Sequence, residues 1–487
     1  MDFLTAGDGW FARLWFERGL AGLYAVAFLS ALRQFPALLG ERGLLPVPEF
    51  LRHHRFREAP SLFHWRYGDG WFRVVAGTGL MLAVAMALGA FASSPLGVGT
   101  MVWLALYFLY LSIVNVGQAF YRFGWESMIL EAGFFAAFLG PTWMEPSMLP
   151  SLILRWMLFR VEVGAGLIKL RVGGVWLDRT ALYFHHETQP LPNPLSRGFH
   201  RLPRWMLRGG VGFSHAVQVA VPFGLFLPQP VAGIAAALII VHQLLLIVAG
   251  NYAWLNWLTV VLAFVALPDG WLAAVTPAAP PAALAPRPLA WEIGLLGVTA
   301  GTVWLSIAPG RNLCSKRQRM NFCWNRWHLV NAYGAFGSVT QRRHEIVIEG
   351  TRAEVAGDAA AEWLAYEFKG KPGRPDRTPP LVAPYHLRLD WLMWFLPFSV
   401  RETPRGIVVM REERWFRALI DKLLEGDRAV SRLLRSDPFS DDPPNFVRAR
   451  YFHYRFTTPS ERRETGAVWK RTCLGDYLPP TRLRSRK

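Results

Sequence analysis

The sequence predicts an α-helical multi-pass membrane bundle of about nine spans, followed by a small soluble α+β domain that contains antiparallel strands. The first observation is that hydrophobic residues make up 52% of the 487 residues, although the formal net charge is +18. The second is a series of apolar windows that ends near residue 308. The third is the polar, strand-like character of the chain after Pro309. These changes divide the chain into a transmembrane domain, 1–310, and a soluble C-terminal domain, 311–487.

Each predicted span is a window of roughly 20 apolar residues, the length that a helix needs to cross the hydrocarbon core. The windows are 19–39, 72–92, 97–120, 124–141, 148–170, 211–228, 231–250, 252–268 and 288–308. Pro222, Pro228 and Pro230 leave a second possibility within 211–268, a single kinked or re-entrant element in place of two helices. The first window lacks a small-residue cleavage site and is followed by further windows, which predicts a membrane helix and not a signal peptide.

Two polar loops and one linker separate the windows. The loop 40–71 is basic and aromatic, which is typical of a segment that lies on the membrane surface. The loop 171–210 contains the run LPLPNPL and is predicted to be rigid, because X-Pro steps force extended backbone. The run 276–288 is a Pro/Ala linker before the last window.

The composition argues against nucleic-acid and metal binding. The arginines are scattered through loops without a zinc-finger, RRM or helix-turn-helix pattern, so no nucleic-acid partner is predicted. His185, His186 and Glu187 are adjacent and lack the i, i+4 spacing of a zinc helix, so we predict no metal site and no cofactor. The three cysteines form no C-x-x-C motif. Cys314 and Cys323 either pair in an oxidising compartment or remain unconnected thiols.

Ionisable side chains lie inside the window 148–170. Arg155, Glu162 and Lys169 are seven residues apart, and seven steps of 100° return almost to the starting direction, so the three share one helix face. Each such group costs at least ~2.5 kcal/mol at the centre of a membrane unless the protein compensates it. We therefore expect Glu162 to neutralise a cation above or below it.

A second set of polar residues begins at the end of the third window. Asn115, Gln118 and Arg122 have i, i+3, i+7 spacing, and Glu126 and Glu131 come next. Buried groups of this kind are expected to pair with one another inside the bundle. One interpretation of both sets is a structural network that locks the helices together. The other is a cavity that holds a reactive lysine.

The C-terminal domain is predicted to hold strands at 344–350, 363–370 and 449–457 and helices at 411–425 and 427–435. Alternation predicts that Ile346, Ile348, Leu364, Tyr366 and Phe368 point inward. The segment 389–398 is rich in Trp and too short to span. It is either a core helix or an interfacial helix that presses the domain against the bilayer.

Three long stretches carry a family resemblance: WLDRTALYFHHETQPLPNP, LVNAYGAFGSVTQRRHEIVIEG and YEFKGKPGRPDRTPPLVAPYHLRLDWLMWF. They resemble the signature stretches of the lipase maturation factor family, over roughly residues 33–479. The resemblance implies a multi-pass membrane protein whose animal relatives reside in the endoplasmic reticulum and help secreted lipases fold and assemble. It also implies client contact through the C-terminal domain. The client-contact candidates are Trp363, Tyr366, Lys369, Tyr385, His386, Arg388, Asp390 and Trp391.

The membrane half resembles, more faintly, the transmembrane module of vitamin K-dependent gamma-carboxylases, in which a lysine is the catalytic base. Lys169 in GLIKL is the nearest match. This resemblance implies an alternative function, a membrane enzyme with Lys169 as general base and His185 or His186 nearby. We favour the first function, a non-enzymatic folding factor whose partners are the lipid bilayer and a secreted, lipase-like client.

The sequence gives two conflicting predictions for the side of the membrane on which the C-terminal domain lies. With nine spans, the loops 40–71 and 171–210 and the C-terminal domain share one side and carry nearly all the loop arginines. The positive-inside rule places that side in the cytoplasm, although the rule is weak for large domains. The resemblance places it outside the cytoplasm. Heavy Arg and Ala usage indicates a bacterial member, so we expect an inner-membrane protein with a periplasmic C-terminal domain.

Overall fold

The computed structural model describes residues 9–404 and 406–483. Every apolar window falls on helical backbone. The main helices of the transmembrane domain are α1 (Trp10–Leu39), α3 (Asp69–Leu88), α4 (Val98–Asn115), α5 (Gly124–Ala136), α6 (Met148–Val172), α9 (Arg204–His215), α10 (Val231–Ala249), α11 (Leu255–Ala263) and α13 (Leu289–Cys314). The short helices between them are α2 (Val47–His53), α7 (Leu182–Thr188), α8 (Ser196–His200) and α12 (Asp269–Ala273). The region of the three prolines forms separate helices, because the chain bends between Phe226 and Val231.

Six helices in the described residues are long and apolar enough to cross a membrane. They are Trp10–Leu39, Asp69–Leu88, Val98–Asn115, Arg204–Phe226, Val231–Ala249 and Leu289–Cys314. The other three windows fall on helices with a different character. Helix α5 has 13 residues and α11 has nine, and both are largely enclosed by neighbouring helices. Helix α6 has 25 residues but carries several charged side chains. The prediction of a multi-pass helical bundle is confirmed.

The loops that connect the helices lie at two opposite ends of the bundle. At one end, Gln118 donates to the carbonyl of Leu45 at 2.8 Å, and Asn251 donates to the carbonyl of Pro192 at 3.0 Å. At the other end, the indole of Trp10 donates to the carbonyl of Thr142 at 2.8 Å. Loops after odd-numbered windows therefore meet one another, which is what alternating passes require. We call the end that holds the loops 40–71 and 171–210 the loop-rich end.

The C-terminal domain sits on the loop-rich end. Its strands are β1 (Arg343–Thr351), β2 (Leu364–Ala365), β3 (Val400–Thr403), β4 (Gly406–Val409), β5 (Phe446–Phe456) and β6 (Trp469–Thr481). Its helices are α14 (Arg388–Phe395), α15 (Arg414–Leu424), α16 (Arg428–Ser431) and α17 (Pro459–Thr465). One antiparallel sheet has the order β2-β1-β5-β6, and β3 and β4 form a separate hairpin. The predicted antiparallel strands are thus present.

The predicted strands differ from the structure at 363–370, and β3, β4 and β6 lie outside all of them. The strand expected over 363–370 is only two residues long, because β2 lies at the edge of the sheet and the chain leaves it after Tyr366 donates to the carbonyl of Ile348. For the same reason Leu364 is 36% exposed and does not point inward, whereas the other four predicted core residues are buried. The helix predicted at 427–435 is shorter, since α16 ends at Ser431.

Both faces of β1 are covered. Ile346 and Ile348 belong to a large apolar core that also contains bundle residues such as Tyr24 and Trp254. Val347 points to the opposite face and packs in a second cluster with Phe452, Tyr454, Phe456, Val468 and Trp469. The two domains therefore share one continuous core.

The segment 389–398 is a core helix with an exposed end. Within α14, Leu389, Trp391 and Met393 are buried. Phe395 is 42% exposed, and Phe398, in the following turn, is 53% exposed. The segment is held between the sheet and the transmembrane domain and leaves two rings uncovered.

Candidate functional site

A buried ion pair joins the C-terminal domain to the bundle. The guanidinium of Arg388 donates to Glu126 at 2.6 Å and to the carbonyl of Phe120 at 2.9 Å, and it lies 3.5 Å from the centre of the Tyr121 ring. The second oxygen of Glu126 accepts from the hydroxyl of Tyr110 at 2.5 Å. Arg388 and Glu126 are fully buried. The pair links α14 to the start of α5, so it fixes how the two domains meet.

His386 reinforces this junction without carrying charge. Burial, together with the nearby Arg388 cation, lowers the pKa of His386 to about 4, so the ring is neutral at physiological pH. Its Nδ1 accepts from the indole of Trp125 at 3.4 Å, and its backbone carbonyl accepts from Ser30 and Gln34 of α1 at 3.0 and 2.6 Å. The start of α14 is therefore held from two sides of the bundle.

A second buried carboxylate organises the segment that enters the C-terminal domain. Glu131 pairs with Arg160 of α6. It also accepts from the backbone N–H and the side chain of Asn331, both at 2.9 Å, and from the hydroxyl of Tyr333 at 2.7 Å. Arg160 in turn donates to the carbonyl of Asn331 at 2.6 Å. One carboxylate thus connects two bundle helices to the residues that precede β1.

A third polar cluster fixes the loop 171–210 against the sheet. Arg343 donates to Glu345 at 2.5 Å and to the carbonyls of Glu187 and Gln189 at 2.9 and 2.5 Å. Lys371 pairs with the other oxygen of Glu345 at 3.0 Å. All of these polar groups are buried or nearly so. The loop is consequently an ordered part of the domain interface. It contains the short helices α7 and α8, so the expectation of extended, non-helical backbone is wrong for those residues.

Charged groups of α6 find amide and carbonyl partners. Arg155 donates to the carbonyls of Val265 and Leu225, Glu162 accepts from Gln243 at 2.6 Å, and Lys169 donates to Gln218 at 2.6 Å. Within the described residues no direct ion pair joins Glu162 to Arg155 or Lys169, and Glu162 interacts with Lys169 across the amide of Gln218. Seven residues of helix rise about 10 Å, which exceeds the reach of a direct pair.

Three buried amide side chains that bond to these charged groups or to each other are absent from the residues predicted from the sequence. Gln218, Gln243 and Asn256 are buried, and Asn256 donates to Gln243 at 2.6 Å. The signal was available, because each is a polar side chain inside an apolar window. A search for amides as well as charges in those windows finds all three.

The alternative enzymatic site is closed. Lys169 is only 5% exposed, and its ammonium group lies 4.7 Å from the centre of the Trp176 ring. His185 is buried against the hydroxyl of Tyr252 at 2.8 Å, and burial lowers its pKa to about 4. His186 is also buried. Across residues 9–404 and 406–483, no group of three or more His, Cys, Asp or Glu side chains could hold a metal ion.

The set Asn115, Gln118 and Arg122 does not share one helix face. Helix α4 ends at Asn115, and Gln118 has a positive φ of 47° in the turn that follows, so the helical spacing assumed for these residues is wrong. Asn115 and Gln118 instead tie loops together through the carbonyls of Pro60 and Leu45. Arg122 is exposed at the loop-rich end.

The client-contact candidates are mostly interior residues. Tyr366, His386, Arg388, Asp390 and Trp391 are buried. Asp390 accepts from the backbone N–H groups of residues 370 and 371 at 2.6 and 3.1 Å. Trp363 and Tyr385 are partly exposed and Lys369 is exposed. The buried five position the domain, whereas Trp363, Lys369 and Tyr385 have surface that another protein can reach.

An aromatic cleft lies where the two domains meet. Its volume is about 440 Å³. Its aromatic lining consists of Phe123, Trp125, Phe336, Trp391, Trp394, Phe395 and Phe398. Phe395 and Phe398 are the exposed end of α14, so the cleft continues into an open apolar surface. An uncovered apolar surface next to a cleft is typical of a site that binds apolar segments.

All three cysteines lie in the described residues and are free thiols, so Cys314 and Cys323 are not paired.

Comparisons with known proteins match both domains. Residues 11–274 match the lipase maturation factor transmembrane domain, and residues 329–479 match the lipase maturation factor C-terminal domain. Lipase maturation factor 1 of Mus musculus is 37% identical, with 99% of this chain and 89% of that protein covered. Lipase maturation factor 1 of Homo sapiens is also 37% identical, with the same coverage. Lipase maturation factor 2 of Homo sapiens is 28% identical, with 96% of this chain and 82% of that protein covered. No solved structure matches. The chain belongs to the lipase maturation factor family.

Proposed function

We propose that this protein is a membrane-embedded maturation factor that assists the folding or assembly of secreted client proteins, lipases among them. The observation that carries the proposal is the match to lipase maturation factor 1 along 99% of the chain, through both domains. The carboxylase-like alternative has no comparable support, since its candidate lysine is bonded to Gln218 and enclosed.

The aromatic cleft gives this function a physical basis. An unfinished client exposes apolar segments, and burying them against protein is favourable by about 25 cal/mol per Å². Phe395 and Phe398 offer such a surface at the loop-rich end, and the buried Arg388–Glu126 pair holds their helix in place. A rigid site loses little conformational entropy when a client binds.

We place the loop-rich end outside the cytoplasm. A secreted client folds on that side, so the C-terminal domain must face it there. In a bacterium this is the periplasmic face of the inner membrane, and in animal relatives it is the lumen of the endoplasmic reticulum. The arginines of that end oppose this orientation under the positive-inside rule, but a large domain translocates largely regardless of its charge.

Rescue of lipase secretion tests the function. Cells that lack their own lipase maturation factor are given this protein together with a secreted lipase, and lipase activity in the medium is divided by lipase mass. We expect the activity per mass to rise well above that of cells without the protein. Unchanged activity per mass, with the membrane protein present at normal level, would contradict the proposal.

A matched pair of variants locates the client surface. Phe395→Ser with Phe398→Ser removes the exposed rings of the cleft, so the rescue should fall several-fold while the level of the protein is kept. Val408→Ser with Met410→Ser removes two side chains that are 48% and 65% exposed elsewhere in the same domain. If both double variants lose the same amount of rescue, the loss comes from a general change of the protein surface and not from the cleft.

A further inference from the structure

A pocket of about 340 Å³ lies between α1 and the C-terminal domain. Arg33 and Gln34 line it from α1, and Lys369, Tyr385 and Arg432 line it from the C-terminal domain. Its volume falls in the range of about 300–1,000 Å³ that is typical of small-molecule sites. Its lining differs from that of the aromatic cleft, so the two are separate features of the domain interface.

Three cationic side chains surround this pocket, which we call the cationic pocket. Arg33, Lys369 and Arg432 are exposed, and within the described residues none of them forms an ion pair. The ammonium of Lys369 donates to the backbone carbonyl of Arg432 at 2.5 Å. This bond holds the ammonium at the pocket and leaves two of its three N–H groups for a ligand. A bound anion would give all three cations a partner.

A carboxylate that also lines the pocket is already engaged. Asp390 is buried, and its Oδ1 accepts from the backbone N–H groups of residues 370 and 371 at 2.6 and 3.1 Å. The Lys371 and Arg377 cations act on the same carboxylate from inside the domain. Its charge is therefore compensated there, and the cationic pocket keeps an excess of positive charge.

The like charges of the pocket repel one another across the domain interface. The pKa of Lys369 lies below its ordinary value, because partial burial disfavours the ammonium and the Arg33 cation repels it, and the attraction of Asp390 does not offset both. Arg33 belongs to α1 and Lys369 to the C-terminal domain. Their repulsion opposes the docking of the two domains, and an anion between them removes it.

The position of Arg33 places the pocket beside the membrane surface. Helix α1 is long and apolar enough to cross a membrane, and Arg33 lies six residues before its end at Leu39. Six residues of helix rise about 9 Å. An exposed arginine near the end of a membrane helix extends its guanidinium toward the headgroup layer, because a lipid-facing charge is costly. The ligand of Arg33 is therefore to be sought in that layer.

The remaining lining combines apolar walls with these cations. Leu387, Leu389 and Leu433 line the pocket and are buried. A phospholipid presents an anionic phosphate next to glycerol and acyl carbons, which fits cations beside leucines. Arginine binds phosphate oxygens through its planar fork, and lysine adds a point charge. Basic pockets beside membrane helices are typical sites for anionic headgroups.

We propose that the cationic pocket binds the phosphate headgroup of an anionic phospholipid through Arg33, Lys369 and Arg432. The bound headgroup bridges α1 and the C-terminal domain and stabilises the docking of one on the other. A free phosphate ion offers the same oxygen atoms without the acyl chains, so the test must separate the two sources. The site goes beyond the proposed maturation function, and its test needs no client.

Thermal unfolding of the full-length protein in neutral detergent tests the site. A ligand that binds only the folded protein raises the unfolding temperature. Phosphatidylglycerol should raise it by a few degrees, whereas phosphatidylcholine with the same acyl chains, or inorganic phosphate, should leave it nearly unchanged at the same concentration. An equal shift with phosphatidylcholine would overturn the selectivity for anionic lipid. An equal shift with inorganic phosphate would overturn the assignment to a lipid.

Three variants locate the effect. Lys369→Gln with Arg432→Gln should raise the phosphatidylglycerol concentration for the half-maximal shift about 30-fold, and Arg33→Gln alone should raise it about fivefold. Arg428→Gln with Arg463→Gln is the matched control, because it removes the same charge from exposed positions of the same domain outside the pocket. The control should stay within about twofold of the wild-type protein. Equal responses of the two double variants, or an unchanged response of Arg33→Gln, would overturn the proposal.

Discussion

Arg388→Met is expected to lower the free energy of unfolding by ~3–5 kcal/mol, because breaking a buried ion pair leaves the other charge without compensation. In this protein the abandoned group is Glu126, which is fully buried and keeps the hydroxyl of Tyr110 as a donor, with Nδ1 of His386 at 3.6 Å. The carbonyl of Phe120 loses its donor as well. Thermal unfolding in detergent, followed by the yield of monodisperse protein, measures the effect.

Two further variants make this result specific. Arg374→Met breaks an exposed pair with Asp376, whose side chains are 67% and 58% exposed, and should leave the unfolding temperature unchanged within error. Glu126→Gln combined with Arg388→Met removes the unpaired charge, so the double variant should be more stable than the sum of the two single losses predicts. If Arg388→Met unfolds at the same temperature as the wild-type protein, water must reach the Arg388–Glu126 junction.

Glu131→Ala is expected to have an effect of similar size, ~3–5 kcal/mol, since it leaves Arg160 as an uncompensated buried cation. The substitution removes more than one ion pair. Asn331 and Tyr333 lose their shared acceptor, and these residues lead the chain from the bundle into β1. We therefore expect limited proteolysis to cut the 320–340 segment faster in this variant, in addition to a lower unfolding temperature.

Glu145→Ala is a suitable control for that measurement. Glu145 lies at the opposite end of the bundle, is 36% exposed, and sits 3.6 Å from Arg287. Arg287 keeps its pair with Glu292 at 3.2 Å, so removal of Glu145 should cost less than ~1 kcal/mol. Glu131→Gln keeps an acceptor for Asn331 and Tyr333 and should fall between alanine and wild type. An Ala variant as stable as the control would show that this carboxylate is not an organising centre.

The sequence located the buried charges but not their partners. Glu126, Glu131 and Glu162 stand out because a charge inside an apolar window must be compensated. The partner of Glu126 is 262 residues away in the chain, on a helix that the apolar pattern alone leaves open to two interpretations. Pairings at that distance depend on how the domains dock, which local periodicity does not encode.

The same limit explains the client-contact residues and the missed strand. Arg388 and Trp391 are client-contact candidates because the family resemblance implies contact through the C-terminal domain, yet docking buries them against the bundle. Strand β6 has the sequence WKRTCLGDYLPPT, whose Gly and two prolines break the alternating pattern, and its register to β5 is irregular. By contrast, β1 has a short β-branched run, IVI, flanked by polar residues, and its predicted span is within one residue of the observed one at each end.

A hydrogen-bonded cluster of Cys323, His328 and Asn115 is another product of the fold. Its histidine and asparagine are 213 residues apart, so no short motif records it. The sequence shows Asn115 as a polar residue at the end of a window and Cys323 as a thiol that either pairs with Cys314 or stays unconnected. Only the docking of the 320–331 segment on α4 and α5 brings the two residues together.

The side of the membrane on which the loop-rich end lies decides whether a secreted client can be reached at all. Alkaline phosphatase and green fluorescent protein are fused separately to the C-terminus, and the same pair is inserted in the 89–97 loop at the opposite end of the bundle. We expect an active phosphatase and a dark fluorescent protein at the C-terminus. At the 89–97 loop we expect an inactive phosphatase and a fluorescent green fluorescent protein. A fluorescent C-terminal fusion with inactive phosphatase would put the aromatic cleft in the cytoplasm and contradict a role in maturing secreted proteins.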